Sequence, residues 1–361
     1  SSNIMIGKDA GDGFDTESNN LAIGKDAFNG NVSGGEYNIA IGNDSLGALT
    51  SADHNVAIGY NAASALSTGA ENVIIGKDAV GAGVLTGGEN VVIGTGAGND
   101  MTSATASVFV GDNSGANVTT GARNVALGKN AIKQPDTESD NLGIGYNALE
   151  GAIAGGEYNV AIGNYSLDAL TSADYNSVIG YGAGGAINTG GNNTIMGYVA
   201  GAALTDDTNN VLIGYRAGNA LTDSDNVVIG SDAARQGTTH SANVIIGMNA
   251  AANGVVTGDN NVVIGKDAGL SFTSANGNVV LGMEAGEAMA SADGNTLVGF
   301  QAGKALNYDG DSYNVMLGYQ AGLSITNAAY NTLIGGFAGD GYDTESHNTA
   351  VGYLALSGPV A

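Results

Sequence analysis

The chain has 361 residues, of which 61 are Gly and 2 Pro, with no Cys or Trp, 12% charged residues and 43% apolar ones. Low charge with high apolar content excludes a disordered chain, the absence of a three-residue Gly period with abundant Pro excludes collagen, and no apolar run is long enough to span a membrane. Ten basic against 35 acidic residues give a net charge of −25, a surface that repels phosphate backbones and so excludes nucleic acid as an expected partner.

The organising signal is Asn-x-x-Ile-Gly-x-x-Ala, whose Gly recurs at 7, 24, 42, 59, 76, 94, 111 and onward to 352, twenty-one times. The interval is mostly 17 residues, sometimes 18, once 16 (Gly214 to Gly230) and once 19 (Gly299 to Gly318). Asn stands four residues before each Gly, except at Ser107, and Ala three after, replaced by Ser at Ser45, Ser114 and Ser166. No linker interrupts the pattern, which predicts one repeat domain over 1–361.

In chain order the segments between Asn and Gly, from Ile4-Met5-Ile6 through Val56-Ala57-Ile58 and Val262-Val263-Ile264 to Thr349-Ala350-Val351, predict three-residue strands. They are rich in β-branched residues and bounded by turn formers, and three residues make no useful helix. Seven to nine residues after the Gly comes a second apolar position, as at Leu49, Leu66, Leu85, Leu170, Leu204, Phe272 and Leu306, followed by polar turn text. Each repeat therefore reads as strand, tight Gly turn, second short strand and polar turn.

A repeat that cannot bury its own apolar face must stack on its neighbours. Stacking in register predicts an all-β fold, a parallel β-solenoid (β-roll or β-helix) of about 21 coils, with coils about 4.8 Å apart and a length of roughly 100 Å. Asn above Asn makes an amide ladder, Gly supplies the positive φ of a repeated corner, and the Ala is small because a second wall approaches it. If the first and third strand residues point inward, as Val56 and Ile58 would, the middle one points outward. That middle residue is apolar or small in every copy (Ala57, Ile74, Phe109, Leu212, Met316), which predicts a second buried face and self-association, with a trimer as the expected assembly.

A longer period lies over the first. DTESNNLAIG at Asp15 returns as DTESDNLGIG at Asp136, and GGEYNIAIGN at Gly34 returns at Gly155, an offset of 121 residues or seven copies that block duplication explains.

The motif as it stands in NVAIGYNA (Asn55 to Ala62), NTLIGGFA (Asn331 to Ala338) and NTLVGFQAGKAL (Asn295 to Leu306) resembles two related groups. One is the head repeat of trimeric autotransporter adhesins; the other is the repeat of phage tail-fibre shafts and similar proteins of aquatic microbes and their viruses. The resemblance covers nearly the whole chain and implies a left-handed parallel β-roll trimerised through its sheets. The spacing is nearer seventeen than the shorter repeat of adhesin heads. No coiled-coil stalk, membrane anchor or C-terminal chaperone domain is legible, so a fragment, a processed product and a self-sufficient subunit all fit.

Candidate chemistry is sparse. The three histidines, His54, His240 and His347, read as exposed turn residues, and no Ser-His-Asp arrangement accompanies them. Gly180 to Gly185 matches GxGxxG without a helix or ribose-binding acid to support it. The acidic clusters Asp9 to Asp15, Asp206-Asp207, Asp223 to Asp225 and Asp309 to Asp311 lack EF-hand spacing and read as solvated turns. Tyr recurs just after the Gly (Tyr60, Tyr146, Tyr181, Tyr215) and just before the Asn (Tyr37, Tyr158, Tyr175, Tyr330), in rows that suit either packing against a neighbouring subunit or carbohydrate stacking.

No catalytic, cofactor-binding or metal-ligating residue is expected. The expected function is that of a structural or adhesive fibre protein of a virion or cell surface, extracellular and not an enzyme, with its own copies and cell-surface glycans as partners. A bacterial adhesin or self-assembling filament subunit is the alternative. Ice binding ranks lower because the Thr row is irregular (Thr50, Thr86 and Thr205 against Ser67 and Asn307), and a polysaccharide-degrading solenoid lower still for want of a carboxylate pair.

Overall fold

The computed structural model describes residues 2–13, 17–31, 33–134, 136–152, 154–239 and 241–358. Contacts divide the chain into two compact units, Ser1–Tyr181 and Gly182–Ala361. The first contains eleven strands of three residues, from Ile4–Ile6 to Ser177–Ile179, and the second ten of the same kind, from Thr194–Met196 to Thr349–Val351. Within each unit every strand pairs in parallel with the strand one coil on, residue for residue, as in Ile39↔Val56, Ala40↔Ala57 and Ile41↔Ile58. Each unit is thus an all-β parallel solenoid, and no helix occurs among the described residues.

Register survives every change of spacing. Val73 pairs with Val91 across 18 residues, Val211 with Val227 across 16, and Thr296 with Val315 across 19. The strand, its Asn and its Gly stay aligned, so the extra or missing residue is absorbed in the turns. At the corner the Gly has φ between 131° and 145° throughout. A Cβ on Gly42 would lie 2.2 Å from the carbonyl oxygen of Gly59, so stacking as well as dihedral freedom demands glycine there.

Two expectations are corrected. The middle strand residue points inward: Ala57, Ile74, Phe109, Leu212 and Met316 are fully buried, while the residues on either side, such as Val56 and Ile58, are half-exposed. The Asn sets this parity. It is buried at 0–2% exposure wherever the coils enclose it, as at Asn38 and Asn55, and the residue two further along a strand must share its side.

The expected second strand is also absent. Leu49, Leu66, Leu85 and Leu204 are fully buried, but the backbone leading to them alternates into the left-handed region, at Asp44 (φ 59°) and Leu46 (φ 50°) in one coil and at Asp78 (φ 54°) and Val80 (φ 49°) in another. Extended pairing is replaced by bonds running both ways along the stack: Asp78 N donates to Tyr60 O of the preceding coil at 3.0 Å, and Val80 N to Ala97 O of the following one at 3.0 Å. Among the described residues the one further pair of strands, Ser291–Asp293 with Asp309–Asp311, lies in the polar turns.

The interior is filled by a trade of volume between the middle strand residue and the residue four after the Gly. Ala22 is matched by Phe28, Ala40 by Leu46 and Gly143 by Leu149, whereas Phe109, Leu212 and Met316 are matched by Gly115, Gly218 and Gly322. Space enforces the trade: a Cβ on Gly115 would sit 2.6 Å from the Phe109 ring, one on Gly322 2.5 Å from Met316 Sδ, and one on Gly143 2.8 Å from Ile132 of the preceding coil. Phe109→Ala is expected to cost about 3–5 kcal/mol. Phe109→Ala combined with Gly115→Leu is expected to recover part of that loss, because Leu46 and Leu149 already hold the same left-handed backbone (φ 50° and 54°). A double-mutant cycle from denaturation curves measures the coupling.

Candidate interaction surface

The Asn ladder orients every outward group. Asn38 Oδ1 accepts from both the backbone N (2.9 Å) and the Nδ2 (3.1 Å) of Asn55, and Asn55 Oδ1 accepts from Asn72 N (3.0 Å) and Nδ2 (3.1 Å). Asn38 Nδ2 donates in turn to Ala52 O at 2.9 Å, tying down the turn of the next coil. At the exception, Ser107 N donates to Asn90 Oδ1 at 3.0 Å and Ser107 Oγ accepts from Asn124 N at 3.2 Å, so the backbone bond is kept while the amide-to-amide bond is lost.

With Asn and the middle residue inside, each strand presents its first and third side chains outward. They are β-branched or aliphatic in most coils (Val56 and Ile58, Val125 and Leu127, Val244 and Ile246, Val315 and Leu317), and several are substantially exposed, including Ile6 at 57% and Leu317 at 44%. Each unit thus carries an apolar face two side chains wide in most coils, narrowed to one at Ser177, Thr194, Thr296, Thr332 and Thr349, which a monomer rarely leaves in water.

Aromatic rows border this face. On one margin Tyr37 stacks on His54 (5.1 Å, 7°) and Tyr158 on Tyr175 (5.3 Å, 6°) in the first unit, while Tyr313, Tyr330 and His347 form a run in the second. On the other margin lie Tyr146, Tyr165 and Tyr181, edge to face, and the run Phe300, Tyr319, Phe337 and Tyr353. The neighbour that the stacked rings find is therefore the next coil of the same chain. One face of each ring in the stacked pairs is covered by its partner, which takes away part of the surface a sugar ring would stack on.

Charge is organised along the same axis. Arg123 grips Asp140 one coil on with two bonds of 2.6 and 2.7 Å, Arg216 Nε meets Asp232 at 2.7 Å, and Lys304 bridges Glu284 (2.5 Å) and Glu287 (2.9 Å). These pairs hold the Asp140 and Glu284 carboxyls below their ordinary range, chiefly through the hydrogen bond from the cation. In the polar turn, Thr86 Oγ1 donates to Thr102 O and Thr102 Oγ1 to Thr119 O, each at 3.1 Å, so these hydroxyls serve coil-to-coil bonding.

The acidic turns are less solvated than their sequence suggests. Glu138, only 5% exposed, accepts from Asp136 N, Thr137 N and Gly155 N at 3.0, 3.0 and 2.8 Å, and the buried Glu17 accepts from Gly34 N at 2.8 Å. Asp207, also buried, accepts from Thr205 N at 3.1 Å, and burial raises its carboxyl above the ordinary range. Asp309 and Asp223 sit in exposed or half-buried turns, accepting from Ser291 Oγ and Ser224 N at 2.8 Å each. The recurrence of DTES was the available signal: its Glu is the acceptor for the backbone of its own turn.

The remaining candidates stay apart. His54 and His347 are exposed members of aromatic stacks in different units, and His240 and part of the Asp9 to Asp15 cluster lie outside the described residues. The next regular element after Gly180 to Gly185 is the strand Thr194–Met196. Among the described residues no group of three or more His, Cys, Asp or Glu is placed to hold a metal ion. No protein-family model matches the chain, and no curated protein matches it.

Asn55→Ala is expected to destabilise by about 1–3 kcal/mol, the cost of leaving the buried Asn72 N–H without an acceptor. Asn55→Ser is expected to cost less, because Ser107 already performs the backbone half of the role; thermal midpoints of the two variants check the order. Asp207 carries a second expectation. Its folded pKa lies above its unfolded one, so its contribution is present at low pH and is lost as pH rises through the folded value. Asp207→Asn should therefore lose no stability at neutral pH and should flatten the pH dependence of melting just above the ordinary carboxylate range.

Proposed function

We propose that this chain is a structural or adhesive fibre protein of a virion or cell surface, acting outside the cell, whose copies associate through the outward strand face, most simply as a trimer. The observation that carries the reading is the unbroken outward row of apolar third strand residues in each unit, from Ile6 to Ile179 and from Met196 to Val351, joined in most coils by an aliphatic first residue. Covering two such side chains contributes on the order of 2 kcal/mol per coil. Over ten coils that exceeds the roughly 4–15 kcal/mol cost of association. The middle strand residues, on which the sequence alone rests self-association, are interior, and the first and third residues form the associating face instead.

Attachment follows from repetition, since many coils and several chains multiply weak contacts into avidity. The chain's role is then to supply rigidity and spacing, with catalysis nowhere required. The acidic surface favours neutral or cationic targets, glycans among them, over anionic ones.

Light scattering of the purified protein is expected to give a mass of three chains. Val56→Glu with Ile58→Glu, and likewise Val244→Glu with Ile246→Glu, should shift that mass toward one chain while the circular dichroism spectrum is retained. A monomeric parent protein would refute the association reading.

A further inference from the structure

We propose that two tyrosine pairs on neighbouring coils, the stacked Tyr158 with Tyr175 and the tilted Tyr313 with Tyr330, are oxidative cross-linking sites at which the chain is stapled coil to coil through carbon–carbon bonds. The proposal does not rest on the assembly reading. Cys and Trp are absent from all 361 positions, so no disulfide can lock the coils, and tyrosine is the side chain from which a one-electron oxidant draws most readily. Of the 15 tyrosines, these four each stand just before a ladder Asn and meet a tyrosine of the adjacent coil. Tyr158 and Tyr175 lie 5.3 Å apart with planes 6° from parallel, and Tyr313 and Tyr330 lie 5.9 Å apart at 33°.

All four are about half exposed, between 47% and 57%, so a peroxidase-derived oxidant reaches the phenol edge while the partner waits at the spacing of the strands. Their backbone is held in register by the adjoining Asn ladder, Asn176 N to Asn159 Oδ1 at 3.1 Å and Asn331 N to Asn314 Oδ1 at 3.0 Å. Radicals formed on such a pair meet each other before they meet another chain. By contrast, Tyr146, Tyr165 and Tyr181 meet edge to face, at 74° and 72°, and Tyr215, which stacks on Tyr198 at 5.5 Å and 13°, has the Arg216 guanidinium over its ring at 4.6 Å. These are poorer partners.

The step balances with a peroxide as oxidant. Each phenol gives up one electron and its hydroxyl proton; the two phenoxyl radicals join through the carbons ortho to oxygen; and the ring hydrogens at those carbons move to the oxygens, restoring both phenols. The two electrons and two protons reduce one peroxide to two waters.

The test uses the whole protein, prepared in light and heavy isotopic forms, mixed in denaturant and refolded together so that any assembly holds both, then treated with hydrogen peroxide and a haem peroxidase. Tandem mass spectrometry is expected to find dityrosine-linked peptides joining Tyr158 to Tyr175 and Tyr313 to Tyr330, each purely light or purely heavy. Tyr175→Phe, which keeps the ring stack, should abolish the first product and spare the second, and Tyr330→Phe should do the reverse. Mixed light–heavy peptides, links dominated by Tyr146, Tyr165 and Tyr181, or tyrosine loss without dityrosine would each overturn the proposal.

Discussion

Everything in this protein depends on one buried amide per coil. The Asn carboxamide needs acceptors and donors wherever it is shut away from water, and it finds them in the equivalent Asn one coil away and in the carbonyls of the adjoining turn. Once it is committed to the inside, strand geometry decides the rest: the residue two along is interior, its two neighbours are exterior, and the Gly that follows must turn the corner. The outward aliphatic face is thus a by-product of satisfying a polar group. Ser107 marks the tolerance of the rule, since a hydroxyl keeps the backbone bond and gives up only the side-chain link.

The second constraint is conformational. Besides the corner Gly, each coil places residues two and four after it, and the residue before the Asn, in the left-handed region, for example Asn61, Ala63 and Glu71 with φ of 58°, 51° and 60°. A non-glycine residue there costs on the order of 1–2 kcal/mol, and positions such as Val80 and Ile132 are β-branched. Such conformations persist where surrounding contacts over-determine them. Here the contacts come from adjacent coils, so a coil in isolation would carry the cost without the return.

Much of this was legible in the amino-acid text. The period, the strand positions, the ladder Asn, the close-packed Ala and the buried Leu49 and Leu204 all follow from spacing and residue size. The facing of the strand was not, because Val56, Ala57 and Ile58 are all apolar and periodicity alone cannot choose between the two sides. Strand alternation alone leaves both facings open, whereas the buried Asn55, two residues before Ala57, fixes Ala57 as the interior residue. The missing second strand was hidden for a different reason: Asp44 and Leu46 look like ordinary turn and core residues, and nothing in their identity declares a left-handed backbone. Composition carries no trace of the burial of Glu138, because its donors are main-chain amides.

The ladder also has a direction. Each Asn oxygen receives its hydrogen bonds from the coil that comes later in the chain, as Asn38 does from Asn55 and Asn55 from Asn72. A chain emerging from the ribosome therefore always ends its folded part on a row of prepared acceptors, and each newly made coil docks onto a finished template a mere turn's length away. Growth by accretion of this kind spares the nascent protein any search for distant partners.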